Sequence, residues 1–163
     1  MEETTTTTTA SPLQSAPGGI RIFPPLVALL CLLGALALHA IMPEPRTVYA
    51  HHVIGLIVVA GGTGLCFFAA AMFNARDTTK NPYGEPAQFV TIAPYTFTRN
   101  PMYLGLTTIL FGCAIFFRAP EMIVAPIAFF LVIDRMVIPH EEATMERTFG
   151  AAYLEYKARV RRW

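Results

Sequence analysis

Charge is what this sequence has least of. Only 14% of its 163 residues are Asp, Glu, Lys or Arg, against about 25% in an ordinary soluble domain. Twelve basic and eleven acidic residues leave a formal charge of +1, so no long-range field draws the chain to nucleic acid. Cysteine is nearly as sparse. Cys31, Cys66 and Cys113 are odd in number and each lies in an apolar run, which excludes a disulfide framework. They also lack the paired Cys/His spacing of a zinc site, and no other metal set stands out. They read as small core hydrophobes. A lipid-modified Cys31 is excluded too, because Leu30 stands where a small residue would be needed.

What fills the chain instead is apolar. Hydrophobic residues make up 54% of it and the mean hydropathy is +0.48. The charges are too few to coat a globule in water, so a soluble enzyme and a disordered chain are both poor fits. The length suits one domain. The composition is that of a small membrane protein.

Residues 1–19 carry six consecutive threonines, Thr4 to Thr9, followed by Ser, Pro and Gly. Such a stretch cannot bury enough apolar surface to offset its ordering entropy, and it reads as a disordered tail. Residues 20–163 then form a single domain. Four apolar helices are expected at about 22–42, 53–73, 102–118 and 122–138. The first two reach the roughly 20 residues that a membrane crossing needs. The third covers only about 24 Å of a roughly 30 Å hydrocarbon core. Arg118-Ala119-Pro120-Glu121 is a tight turn that makes helices three and four a hairpin.

Basic residues set the orientation. With four crossings, one face collects Arg21, Arg76, Lys80, Arg99, Arg135, Arg147, Lys157, Arg159, Arg161 and Arg162, and the other only Arg46 and Arg118. The positive-inside rule then puts both termini in the cytoplasm. It also makes 74–100 a long cytoplasmic loop, and loops of that length tend to carry function. The fold class is therefore all-α: a polytopic membrane protein of about four transmembrane helices with a C-terminal cytoplasmic amphipathic segment. That segment is two helices over 141–162, separated near Gly150, with Glu155 and Arg159 as an i,i+4 pair. Pro139, which cannot donate to the carbonyl of Arg135, predicts a kink or break ahead of them.

Three groups of residues could carry chemistry. Thr98-Arg99-Asn100-Pro101-Met102-Tyr103-Leu104-Gly105 opens the third helix. Pro101 suits the first turn, Asn100 a cap, and Arg99 beside the exposed N–H groups an anion. A capped helix with a snorkelling arginine explains the same residues. Glu141-Glu142 is a carboxylate pair just past an apolar helix, where charge needs partners. The tail, with Phe149, Gly150, Tyr153, Tyr156, Arg159, Arg161, Arg162 and Trp163, could fold over those carboxylates or lie on acidic headgroups. Gly61-Gly62-x-Gly64 lacks a strand before it and a lysine after it, and reads as helix packing. His39, His51 and His52 belong to the far face. His140 alone is near the glutamates.

Thr78-Thr79-x-Asn81-Pro82, Phe89-Val90-Thr91, Pro94-Tyr95-x-x-Thr98-Arg99-Asn100-Pro101-Met102-Tyr103-Leu104-Gly105, Glu141-Glu142, Phe149-Gly150-x-x-Tyr153-x-x-Tyr156 and Arg159-Val160-Arg161-Arg162-Trp163 together resemble the isoprenylcysteine carboxyl methyltransferase family. The likeness is to its small bacterial members, related to the phospholipid N-methyltransferases, and it implies a bacterial inner membrane. It covers residues 74–163 by motif and the whole chain by helix layout. Two positions depart: Asn100 stands where many members have histidine, and Ala93 where a glycine is usual.

The resemblance implies S-adenosyl-L-methionine as cofactor, bound by Arg99, Asn100, Pro101, Tyr103, Gly105, Glu141 and Glu142. Arg99 would take the methionyl carboxylate and the glutamates the ribose or ammonium. Tyrosine faces would meet the adenine and sulfonium. Arg159 would close the site or bind an acidic acceptor, so that Arg99, Glu142 and Arg159 carry the reaction. The expected partners are the bilayer and a lipophilic methyl acceptor, an isoprenylcysteine-type carboxylate or a lipid amine or thiol. Neither nucleic acid nor metal is expected. Sterol and steroid reductases share an Asn-Pro-x-Tyr-x-Gly stretch, which keeps an NADPH enzyme as an alternative. A small four-helix transporter is a second.

Overall fold

The computed structural model describes residues 22–42, 50–77 and 91–163. The expected threonine-rich tail lies outside these, as does 78–90 of the expected loop. All regular structure among the described residues is helical, apart from one isolated parallel bridge between Thr98 and Arg161. In chain order the helices are α1 (Pro24–Ala40), α2 (Ala50–Asp77), α3 (Pro101–Phe117), α4 (Val124–Val132), α5 (Ile138–Phe149) and α6 (Ala151–Arg159). A 3₁₀ turn, Pro120–Ile123, leads into α4, and a π turn, Ile133–Val137, joins α4 to α5. Pro120–Phe149 is thus one continuous helical run of 30 residues, and it and His51–Met72 are long and apolar enough to cross a membrane. The helices α1 and α3 are apolar but shorter, at 17 residues each.

Helix α2 runs three to four residues past each end of the expected 53–73, so the segment after it starts at 78 rather than 74. The α-helical ladder is interrupted just ahead of Pro139, where a kink or break is expected, by the π turn Ile133–Val137. The π turn immediately upstream widens the helix where the proline's missing N–H and its ring would conflict with the Arg135 carbonyl, and the run continues into α5. The turn between α3 and α4 is as expected. Arg118 takes left-handed backbone angles (φ 51°, ψ 36°), and the N–H groups of Arg118 and Ala119 donate back to Ile115 and Ala114, a Schellman-type stop.

The packing is inverted relative to a water-soluble bundle. Residues turned inward on α1 and α2 are small and seven apart: Ala28 and Ala35, then Gly55, Gly62 and Ala69. On α3, Gly105 and Gly112 repeat the interval. Large side chains such as Leu30, Leu33, Ile54, Ile57 and Phe67 face outward and are more than half exposed. Such a surface would aggregate in water and suits acyl chains.

Helix α2 packs chiefly on α3, and α1 on α4 and the turn before it. The α2–α3 crossing is close because glycine meets glycine: a Cβ on Gly62 would sit 2.7 Å from the carbonyl oxygen of Gly105, and one on Gly105 2.8 Å from that of Gly62. Of the expected glycine cluster, Gly62 therefore packs, whereas Gly61 and Gly64 meet nothing within 4 Å. The larger core residues, Leu110, Met122, Phe129, Ile133 and Ile138, fill the space around α4. Cys31, Cys66 and Cys113 are free thiols.

Candidate functional site

Polar residues collect where α3 begins and α5, α6 and the segment Val160–Trp163 meet it. The segment lies alongside the residues preceding α3. The Arg99 N–H donates to the Arg161 carbonyl (2.8 Å), and the Thr98 hydroxyl and the Asn100 side-chain amide both donate to the Arg162 carbonyl (2.9 and 3.0 Å). Asn100 occupies the N-cap position of α3 without capping it through its side chain. Its amide is used on Arg162, and the Thr98 hydroxyl accepts from the Asn100 N–H instead (3.1 Å). The expected Asn100 cap is corrected to that extent.

Arg99 is buried and divided between two tasks. One guanidinium nitrogen, Nη1, donates to the Lys157 and Val160 carbonyls (2.8 and 2.7 Å). These are end carbonyls of α6, where a cation is favoured by the helix dipole. The other, Nη2, donates to Glu142 Oε1 at 2.8 Å. Its Nε is buried with no hydrogen-bond partner among the described residues. A buried donor left unmet costs about 1–3 kcal/mol, and it marks a place for an acceptor that none of the described residues supplies.

Glu142, 6% exposed, is surrounded by cations. Arg162 approaches it side-on, with Nη2 2.9 Å from Oε2 and Nε 3.3 Å from Oε1. Lys157 Nζ lies 3.4 Å from Oε2 and donates to Glu146 at 2.6 Å. That contact with Glu146 is the main reason why the Lys157 ammonium is held above its usual range. Arg162 also reaches Asp134 Oδ1 (3.3 Å), which accepts the Trp163 indole N–H at 2.8 Å. Arg99, Arg162 and Lys157, together with the exposed Arg135 lying 3.6 Å from Asp134, thus face three carboxylates, Asp134, Glu142 and Glu146. Burying these charges is tolerable because each is paired.

Glu141 has a different setting. It is exposed, and it accepts a hydrogen bond from the Tyr103 hydroxyl at 2.6 Å. Tyr153 and Tyr156 are buried behind the cluster, and the Tyr156 hydroxyl donates to the Tyr95 carbonyl at 2.7 Å. Burial, reinforced by nearby Tyr153, pushes the Tyr156 phenol up to about 12. The kink between α5 and α6 falls at Gly150, whose φ of 53° suits glycine.

Of the residues singled out in the sequence, Arg99, Asn100, Pro101, Tyr103, Glu141 and Glu142 come together here. Gly105 does not; it faces α2, where an added Cβ would lie 2.5 Å from Cys66 Sγ. Arg159 does not either. Its side chain is 68% exposed and lies 3.6 Å from Glu155, the expected i,i+4 pair. The tail arginine next to Glu142 is Arg162, whereas Arg159 was expected to close the site or bind an acidic acceptor. Trp163, one of the tail residues expected to be able to fold over the carboxylates, is a member too, and Asp134 and Lys157 are further members that sequence reasoning did not assign to the site. One signal pointed to them: Asp134 at the end of an apolar run needs a buried partner, and the tail supplies a cation and an indole donor.

Residues 50–152, more than half of the chain, match the model of the phospholipid methyltransferase family. The chain therefore belongs to the phospholipid methyltransferase family. It is 29% identical over 125 residues to a human protein-S-isoprenylcysteine O-methyltransferase, covering 72% of this chain and 42% of the human protein. This chain thus spans less than half of that relative's length. A protein of unknown role from Haemophilus influenzae is 39% identical over 62 residues, which is 38% of this chain and 98% of that one. No solved structure matches.

Proposed function

We propose that the chain is a multi-pass membrane enzyme that moves a methyl group from S-adenosyl-L-methionine to a lipophilic acceptor at the cytoplasmic face. The observation that carries the reading is the unmet buried Nε of Arg99, a residue paired with Glu142 within the segment matched to a methyltransferase family. The donor suits a ligand carboxylate. Glu141, with one oxygen engaged by Tyr103, has the chemistry to accept from an ammonium or a ribose diol. Asn100 and Pro101 shape the backbone around Arg99, and the Tyr103 ring offers an apolar face. Glu142, already between Arg99, Arg162 and Lys157, acts by holding Arg99 rather than by meeting a ligand.

When bound, the cofactor supplies an electrophilic methyl group on a sulfonium. The protein's part is to hold the acceptor in line at roughly 3–3.5 Å and keep water away. The outward-facing apolar side chains of α1–α4 favour four crossings with both termini cytoplasmic, as the distribution of basic residues supports. Such an arrangement lets an acceptor enter from the bilayer while the cofactor enters from water. The human relative's name makes an isoprenylcysteine carboxylate the first acceptor to try, and a lipid amine or thiol the next. The test is transfer of a radiolabelled methyl group from S-adenosylmethionine to farnesylcysteine derivatives and to phosphatidylethanolamine, by the full chain in detergent. Label in the lipid fraction that depends on Glu141 and Arg99 is expected. No label in either acceptor, together with no binding of S-adenosylhomocysteine, would overturn the reading.

A further inference from the structure

We propose that Arg162 is a positioning residue for this site, a bridge that sets Glu142 and through it Arg99 against the ligand; the inference rests on the cofactor reading above. Its guanidinium is used on both edges. Nε and Nη2 meet the two oxygens of Glu142 at 3.3 and 2.9 Å, and Nη1 meets Asp134 at 3.3 Å. Its own carbonyl is gripped by Thr98 and Asn100, so the residue is fixed at the backbone as well as at the head group. The far anchor, Asp134, sits in the π turn and also takes the Trp163 indole N–H, while the Trp163 ring packs 4.6 Å from Phe130. Arg99 thus depends on a chain of contacts from Trp163 and Asp134 through Arg162 to Glu142. A planar, forked cation is required for it. Lysine keeps the charge but has one nitrogen and cannot span both carboxylates in this geometry.

The chain has one tryptophan, so its fluorescence reports Trp163 alone. The experiment is calorimetric titration of the full chain in detergent with S-adenosylhomocysteine, for wild type, Arg162→Lys, Asp134→Asn and the double variant. Trp163 emission and the thermal midpoint are read on each. Arg162→Lys is expected to weaken binding about tenfold or more and to shift Trp163 emission. Asp134→Asn is expected to weaken it about threefold in wild type and by under about twofold once Arg162 is Lys, because both act through one chain of contacts. Arg162→Lys binding as wild type does, with only a lower midpoint, would overturn the inference while leaving the cofactor reading intact. So would effects that simply multiply. If Arg162→Lys does not fold, Asp134→Asn decides: weakened binding with shifted emission supports the bridge, and unchanged binding refutes it. Failure of wild type itself to bind would instead refute the cofactor reading, and the positioning role with it.

Discussion

The α2–α3 crossing and the polar end of α3 sit on the same helix and are built on opposite rules. At the crossing the interior is held by residues with almost no side chain, Gly62, Gly105 and Gly112, and large apolar groups point outward. At the polar end the interior holds charges, Arg99 and Glu142, and stability comes from pairing them. A hydrocarbon solvent explains the first, since apolar side chains gain nothing by turning inward and close backbone approach supplies the packing. The second, on the function proposed above, is an interior that stays polar to receive a charged ligand, and its buried charges are paired within the protein. The two regions should respond differently to substitution.

The largest effect is expected at Glu142. Glu142→Gln leaves Arg99, Arg162 and Lys157 facing a neutral group, and should cost about 3–5 kcal/mol of stability as well as ligand binding; thermal unfolding in detergent and calorimetry would show both. Next is the crossing. Gly62→Val drives methyl groups into the Gly105 carbonyl and should cost about 2–3 kcal/mol. Gly61→Ala, one residue away and facing open space, should instead be neutral or stabilising by about 0.5 kcal/mol. Equal effects at the two glycines would remove the packing argument. Glu141→Gln should separate binding from folding: affinity for S-adenosylhomocysteine falls about tenfold while the unfolding midpoint moves little, as for a surface substitution. Arg159→Ala, which removes only an exposed pair with Glu155, should change stability by under about 0.5 kcal/mol and binding by less than about twofold.

Much of this was legible in the sequence because a few physical signals are strong. Long apolar runs, the Arg118–Glu121 turn, Pro101 opening α3 and the carboxylate pair past the apolar helix each allow few local structures. What escaped was set by contacts between distant parts of the chain. No local rule says that Arg162 rather than Arg159 meets Glu142, since both are basic residues of one tail and the choice depends on where Val160 leaves the helix. Gly105 was read with the residues on either side of it, yet helix periodicity turns it toward α2. Pro139 signals that the helical ladder is disturbed upstream but not that a π turn, Ile133–Val137, accommodates it. The seven-residue spacing of Gly55, Gly62 and Ala69 was visible, but it gains meaning only when the helix it packs against is known.

The central claim is that the polar end of α3 receives S-adenosylmethionine, and the direct test is calorimetric titration of the detergent-purified full chain with S-adenosylhomocysteine, with NADPH run beside it. The account predicts saturable binding of S-adenosylhomocysteine alone, weakened in Glu141→Gln. Binding of NADPH alone, or of neither, would contradict it.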